Sequence, residues 1–179
     1  MPRYICLLRS INISGVNIIK MAELKAFFES LGFQNVLTYI QSGNVIFDAG
    51  EQPEASFLEH RIQERFQTRN AAVVLKTPEE IAAVVRENPF KDRPGFNTKK
   101  LYVHYLENRP DKERMEALAE FSFEDEFFII RDRLIYVYCD TDRGRNKLSN
   151  TFFEKKLGLR ATARNWNTTS KLLLLSGDN

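Results

Sequence analysis

The 179-residue chain has few of the residues that mark specialised protein classes: two cysteines, two histidines and one tryptophan. Cys6 and Cys139 each lie inside an apolar run, which favours buried free thiols over a disulfide or a metal site. The histidines are far from each other and from the cysteines, so no zinc-ligand spacing exists. We expect His60 to face solvent from a charged helix and His104 to be packed in a strand.

Long hydrophobic runs and an excess of one charge are also missing. No apolar run approaches the ~20 residues of a membrane span, and the apolar stretch near the start is too short for a signal peptide. The 26 basic and 24 acidic residues give a net charge of +2, which argues against a strongly basic nucleic-acid-binding protein. The 43% hydrophobic fraction is typical of a globular domain. We therefore predict a folded cytoplasmic protein.

Hydrophobic periodicity divides the first half into alternating strands and helices. It predicts strands over residues 3–9, 36–40, 44–48 and 72–76, and helices that begin near residues 21, 55 and 78. Ser42 and Gly43 favour a tight hairpin between the second and third strands. Thr77, Pro78 and Glu80 have the types and spacing of a capped helix start.

The second half repeats this order after a connector, residues 89–99. Its pattern predicts strands over 100–106, 127–131, 134–139 and 161–165, and helices over 111–121, 151–157 and 168–175. Thr151 and Glu154 fit a capping box for the second of these helices.

Each half is therefore β-α-β-β-α-β followed by one helix, which is the order of a ferredoxin-like unit. The predicted fold class is α+β, with two ferredoxin-like units in tandem. The predicted boundaries are 1–88 for the first unit, 89–99 for the connector and 100–179 for the second unit.

The right-handed crossovers of this fold bring polar loops together at two sheet edges. One set, the asparagine loops, follows the first strand and forms the hairpin: Arg9, Asn12, Asn17, Gln41, Ser42 and Asn44. Apart from Arg9 these residues are uncharged, and their types suit tight turns as well as ligand contacts. They match neither a P-loop nor a dinucleotide fingerprint.

The other set, the basic loops, lies at the corresponding edge of the second unit: Arg143, Arg145, Lys147, Asn150, Arg164, Asn165, Trp166 and Asn167. Two helix starts, near Asn150 and Asn167, add N–H groups and positive dipole ends that favour an anion. Simple helix capping by the same asparagines is the alternative interpretation. Trp166 has two interpretations as well, a ring that packs beside the helix start or a stacking surface for a ligand.

Two further features near these loops carry alternatives. Asp140 and Asp142 can hold Mg²⁺ for phosphate chemistry, although a strand end and a turn explain both residues equally. Strand alternation puts Tyr136 and Tyr138 on one face. An open face would let them stack bases, whereas burial against the other unit or a partner is the favoured interpretation.

Two segments, residues 7–47 and 145–175, resemble the bacterial family catalogued as domain of unknown function 1697. The matching motifs are Leu7–Asn12, Gly15, Asn17, Met21, Leu24, Leu31–Phe33, Thr38–Asn44, Lys147–Asn150, Glu154, Leu157–Gly158 and Arg164–Thr168. The resemblance implies a soluble bacterial protein of two ferredoxin-like units, with no established activity, substrate or cofactor. Ser10 and Ser14 stand where the family usually has glycine.

The leading functional hypothesis is a small binding protein for a phosphate-bearing ligand, a nucleotide or a short nucleic acid, held by the basic loops. One alternative is a metal-dependent enzyme acting on phosphate esters. Another is a structural or interaction protein that uses the tyrosine face. No catalytic set and no resident cofactor or metal are predicted, and no membrane partner is expected.

Overall fold

The structure is a computed structural model that describes residues 1–13, 15–140 and 147–177. Within them the chain forms eight strands and six α-helices, an α+β architecture. In chain order they are β1 (Arg3–Arg9), α1 (Met21–Ser30), β2 (Gln34–Tyr39), β3 (Asn44–Asp48), α2 (Ala55–Phe66), β4 (Ala72–Lys76), α3 (Pro78–Arg86), β5 (Leu101–Leu106), α4 (Lys112–Ala119), β6 (Glu126–Arg131), β7 (Leu134–Cys139), α5 (Asn150–Leu157), β8 (Ala161–Asn165) and α6 (Trp166–Ser176). A short 3-10 helix, Thr98–Lys100, precedes β5.

The strands form two four-stranded antiparallel sheets with the same topology. The first sheet has the order β2-β3-β1-β4, and the second has the order β6-β7-β5-β8. The first strand of each set is therefore central in its sheet, between the third and the fourth strands. The second strand of each set, β2 in the first sheet and β6 in the second, lies at an edge of its sheet.

Each sheet has a core on the face that its helices cover. In the first sheet, alternate β1 residues Tyr4, Cys6 and Leu8 belong to a core that includes Phe28 of α1 and Leu58 of α2. Clustered phenylalanine rings fill this core, and the Phe28 and Phe47 ring centres lie 5.4 Å apart.

The second sheet follows the same plan. Ile135, Val137 and Cys139 of β7 pack in one core with Phe153 and Leu157 of α5. The predicted alternation along β7 is confirmed, because Tyr136 and Tyr138 occupy the other face. Cys6 and Cys139 are buried and free, as predicted.

The tyrosine face of β7 is covered by residues that precede β5. The Tyr136 hydroxyl donates to the Val84 carbonyl at 3.0 Å. The Tyr138 hydroxyl accepts from the Asn97 amide at 3.0 Å, and its ring packs against Phe90 at 5.6 Å. Both rings are therefore buried, and neither offers a surface on which a base could stack. The residues that bury them belong to the same compact unit as β7, so the covering surface differs from the other unit or partner subunit that the sequence suggested. The connector contributes packing residues to the second sheet.

Two compact units emerge from the contacts. One comprises residues 1–83 with the segment from residue 171 onward, and the other comprises residues 84–170. The predicted domain boundaries, 1–88, 89–99 and 100–179, stay a prediction. No helix in the described ranges combines the length and apolar character needed to cross a membrane.

Helix starts show where local sequence signals hold and where they fail. The α3 start is a full capping box, in which Thr77 Oγ1 accepts from the Glu80 amide and Glu80 Oε2 accepts from the Thr77 amide. The predicted box at Thr151 is wrong, because Ser149 caps α5 by accepting from the Phe152 amide. Glu154 instead accepts from the Ala161 amide at 2.8 Å.

Candidate functional site

The asparagine loops meet at one edge of the first sheet, as the topology predicts. Asn12 joins them, since its side-chain amide donates to the Ile19 carbonyl at 3.0 Å and to the Gln41 carbonyl at 2.8 Å. Its Oδ1 accepts from the Ile19 amide at 2.7 Å. One side chain thus fixes the loop after β1 to the hairpin between β2 and β3.

The other asparagines of this set are also committed to backbone groups. Asn17 donates to the carbonyls of Ser10 and Arg69 at 2.6 and 2.9 Å. Asn44 is fully buried and donates to the Tyr39 carbonyl at 2.8 Å. These contacts favour the structural interpretation of the asparagine loops, in which polar side chains replace regular backbone pairing in tight turns.

Three smaller features agree with that interpretation. Arg9 donates to the Ser10 hydroxyl at 2.5 Å, and the Ser42 hydroxyl accepts from the side-chain amide of Asn44 at 3.0 Å. Gly43 has a φ of +77°, and a β-carbon there would lie 2.8 Å from the Leu8 β-carbon. Only glycine fits this left-handed turn beside a packed strand.

The basic loops are brought together only in part. Arg143 and Arg145, with Asp142, lie outside the described residues. Lys147 is exposed and begins the described segment before α5. Its ammonium lies 5.9 Å from the centre of the Phe123 ring.

Arg164 lies on the opposite face of the second sheet from the α5 start. It pairs with Val103, whereas Ala163 pairs with His104, so the two neighbours point to opposite faces. Arg164 is 5% exposed and donates to the Thr162 hydroxyl and to the Ala163 carbonyl, at 2.9 and 2.8 Å. The expectation that Arg164 and Lys147 share one surface is therefore not met.

The residues after Arg164 are also placed differently from expectation. Trp166 is the first residue of α6 and is 8% exposed, so its ring has little surface for stacking. Asn165 caps this helix, because its Oδ1 accepts from the Thr168 amide at 2.8 Å. Asn167, the predicted cap, lies exposed in the first turn.

A cavity lies at the start of α5, against the helix-covered face of the second sheet. Its volume is about 350 Å³, and its lining comes from β5, β7, β8 and the first residues of the helix. The lining residues are Tyr102, His104, Val137, Leu148, Ser149, Asn150 and Ala163. The cavity thus brings the part of the basic loops at the start of α5, which includes Asn150, next to Tyr102 and His104 of β5.

His104 is the polar centre of this cavity wall. Its Nδ1 lies 2.7 Å from Asn150 Oδ1, and an amide oxygen only accepts, so Nδ1 carries the proton. Burial lowers the pKa of His104 to about 4, and the bond to Asn150 opposes that shift. The imidazole is therefore neutral at pH 7, with its acceptor nitrogen at Nε2.

Glu126 fixes the chain that enters α5. Its carboxylate is buried at 6% exposure and accepts from the Lys147 and Leu148 amides at 2.9 and 2.8 Å. Sequence reasoning missed Glu126 and assigned His104 only to packing. The sequence did contain a signal for His104. The core-facing residues of the corresponding strand β1 are Tyr4, Cys6 and Leu8, and none of them is a histidine, so the imidazole on the same face of β5 stands out.

Asp140 is already paired with two cations. Its carboxylate accepts from Lys100 Nζ at 3.1 Å and from Arg93 Nη2 at 3.2 Å. These hydrogen bonds hold the pKa of Asp140 below its usual range. Among the described residues, no group of three or more histidine, cysteine or acidic side chains is placed to hold a metal ion.

A solved structure of another bacterial protein has a similar fold. The chain is similar in structure to the conserved bacterial protein SP0830 from Streptococcus pneumoniae, with a TM-score of 0.72 and 21% sequence identity. The match covers 98% of this chain and 99% of that one. At this identity the similarity shows the fold alone.

Residues 1–136 match the family described as protein of unknown function, DUF1697, and the chain belongs to that family. The resemblance seen in the sequence is thereby confirmed, while the motifs in 145–175 lie beyond the matched range. No functionally curated protein matches the chain.

Proposed function

We propose that this protein binds a phosphate-bearing ligand, a nucleotide or a short nucleic acid, in the cavity at the start of α5. The observation that carries the proposal is the cavity of about 350 Å³ lined by His104, Ser149 and Asn150. A concave site with a few convergent polar groups is the usual form of a small-molecule site.

The helix start supports an anionic ligand. The first N–H groups of a helix lack intrahelical acceptors, and together with the helix dipole they favour phosphate. Lys147 lies three residues before the first residue of α5, and Arg143 and Arg145 precede it in the sequence. Basic residues immediately before a helix start add charge where the helix already favours an anion.

His104 supports a ligand that also carries a hydroxyl. A neutral imidazole adds no positive charge, but its Nε2 can accept one hydrogen bond. A ribose hydroxyl or a singly protonated phosphate is a suitable donor. Tyr102, half-buried in the same cavity, adds an aromatic wall.

The proposed architecture is two ferredoxin-like units in tandem, with boundaries at 1–88, 89–99 and 100–179. Support comes from the repeated element order and from two sheets that share one strand order. A phosphate site at a helix start in the second unit is consistent with that architecture, and a cytoplasmic location is consistent with a nucleotide ligand.

The binding proposal is tested with purified protein and calorimetric titration of ATP, GTP, a dinucleotide and a short single strand. We expect at least one to bind. Lys147→Ala should weaken the binding of that ligand roughly ten- to a hundredfold, since a charge-assisted contact is worth roughly 1.5–3 kcal/mol. Lys155→Ala is the matched control, because Lys155 lies in the last turn of the same helix and should leave affinity unchanged.

The result that contradicts the proposal is equally direct. If none of the four ligands releases or absorbs heat in the titration and none changes the melting temperature, the cavity is not a binding site and is only a gap in the packing beside a capped helix. Equal loss of affinity in Lys155→Ala and Lys147→Ala would indicate a diffuse charge effect and not a site at the α5 start.

The metal-dependent enzyme is the weaker candidate. A magnesium ion at Asp140 would lie beside two positive side chains, Arg93 and Lys100, and their repulsion opposes cation binding. No observation on the described residues favours phosphate-ester chemistry over binding.

A further inference from the structure

Strand β6 is an edge strand whose pairing with its neighbour has no bulge. Its register with β7 runs unbroken from Glu126 to Arg131. The corresponding edge strand of the first sheet, β2, differs: its register shifts between Gln34 and Leu37, and Asn35 has a φ of +49°. Bulges of this kind blunt an edge, whereas a regular edge presents unpaired N–H and C=O groups to another strand.

An apolar groove accompanies this edge. It has a volume of about 740 Å³ and lies between β6, α4 and the segment that joins them. Its apolar lining includes Met115 and Ala119 of α4, with Phe121, Phe128 and Ile130. Ile129 is 37% exposed and Phe121 is 39% exposed. Large apolar side chains beside an open edge mark an interaction surface.

The order of the charges along β6 indicates which partner could bind at this edge. The sequence from Glu124 to Arg133 is EDEFFIIRDR, with acidic residues at its start, apolar residues at its centre and arginines toward its end. A strand of this kind is complementary to itself when two copies run antiparallel, because the acidic end of each lies beside the basic end of the other.

We propose that two copies of this chain pair through antiparallel β6 strands, with Phe128 of one copy opposite Phe128 of the other. This register puts Asp125 of each copy opposite Arg131 of the other. Both residues are exposed, and they lie an even number of positions apart, on the same face of the strand. The Asp125 carbonyl already continues the sheet by accepting from the Asp140 amide at 2.7 Å.

Pairing in this register joins the two second-unit sheets into one of eight strands. Ile129 leaves solvent, and the apolar side chains of each β6 lie beside the groove of the other copy. Edge pairing alone buries little area, so we expect a dimer that dissociates in the micromolar range.

The first test measures mass against concentration by analytical ultracentrifugation, from ~1 µM to ~500 µM, a span that covers weak and moderate affinities. We expect a monomer–dimer equilibrium that Ile129→Lys abolishes while the melting temperature is retained. A wild-type protein that stays monomeric throughout, or a dimer unaffected by Ile129→Lys, would overturn the proposal.

The second test exploits charge. Asp125→Arg and Arg131→Asp should each weaken the homodimer about tenfold, because each puts like charges opposite one another at both ends. An equimolar mixture of the two variants restores opposite charges at both ends and should dimerise at least as well as wild type. The matched controls, Glu113→Arg and Lys155→Asp, change net charge equally and should not weaken dimerisation.

Rescue in the mixture separates pairing from folding, since Arg131 also donates to the Glu87 carbonyl at 2.8 Å in its own chain. Failure of the mixture to dimerise better than either variant alone would exclude this register. If the wild-type protein stays monomeric and binds an unrelated extended peptide at β6, the occupant of this edge is that peptide and not a second copy, which also contradicts the proposal.

Discussion

His104 is a buried imidazole on the core-facing side of a central strand. Its ring lies edge-on to Phe153, with centres 4.9 Å apart, and its Nδ1 is hydrogen-bonded to the Asn150 side chain. Burying a polar ring costs free energy unless it is hydrogen-bonded. The bond to the first residue of α5 offsets part of that cost and fixes the helix start against the sheet.

The neutral state of His104 predicts a pH-dependent stability. Because its pKa is about 4 in the folded protein, against 6.5 for an unperturbed histidine, the unfolded chain binds more protons between these values. Stability is therefore fully present above pH 6.5 and falls as the pH decreases toward 4. The loss is on the order of 3 kcal/mol. Urea unfolding at a series of pH values between these limits measures it.

Variants isolate the contribution of this one residue. His104→Gln should remove most of the pH dependence in that range, at a cost in stability at pH 7. The control His60→Gln, at an exposed position, should keep the wild-type slope. A slope that survives in His104→Gln would show that another group is responsible.

At the scale of the element, the start of α5 shows how a tertiary contact chooses among local signals. Ser149, Asn150 and Thr151 are consecutive residues, and each type is a standard helix cap. The structure uses Ser149 as the cap and Asn150 as the partner of His104. Glu126 holds the two preceding amides, so the chain enters the helix at a fixed position.

This assignment predicts unequal effects of two neighbouring substitutions. Ser149→Ala should lower the free energy of unfolding by about 1 kcal/mol, because the Phe152 amide loses its acceptor. The melting temperature should fall by roughly 2–4 °C. Thr151→Ala should cost much less, since alanine is the better helix former within a first turn. Differential scanning calorimetry measures the melting temperatures of the two variants. A larger decrease for Thr151→Ala than for Ser149→Ala would support the capping box at Thr151 that the sequence predicts.

The elements themselves followed from the sequence more reliably than their caps. Strands β3, β4 and β8 have the bounds that periodicity predicts. The box at Thr77 and Glu80 is also as predicted, because both partners lie within four residues of chain. Caps at α5 and α6 depend on contacts from distant strands, which short-range patterns do not contain.

At the scale of the whole molecule, the near balance of charge limits how a nucleic acid could bind. Of the four cations in the basic loops, Arg164 is buried on the opposite sheet face, which leaves Arg143, Arg145 and Lys147. Three phosphate contacts to a single strand predict a slope of about −2 in log affinity against log salt. Fluorescence anisotropy of a labelled short strand measures this slope.

The same measurement distinguishes the two ligand classes. A slope near zero, with ATP still bound, would exclude the nucleic acid and keep the nucleotide. A slope much steeper than −2 would require cations outside the basic loops and would contradict the site at the α5 start.

The sequence by itself determined the element order, the two free buried thiols, the two faces of β7 and the meeting of the asparagine loops. These follow from local periodicity and from the handedness of crossovers, which act within a few dozen residues. Tertiary structure alone decided which residues share the α5 cavity. The pairing of Val103 with Arg164 turns that arginine away, and a shift of one residue in this register would reverse every side chain of β8.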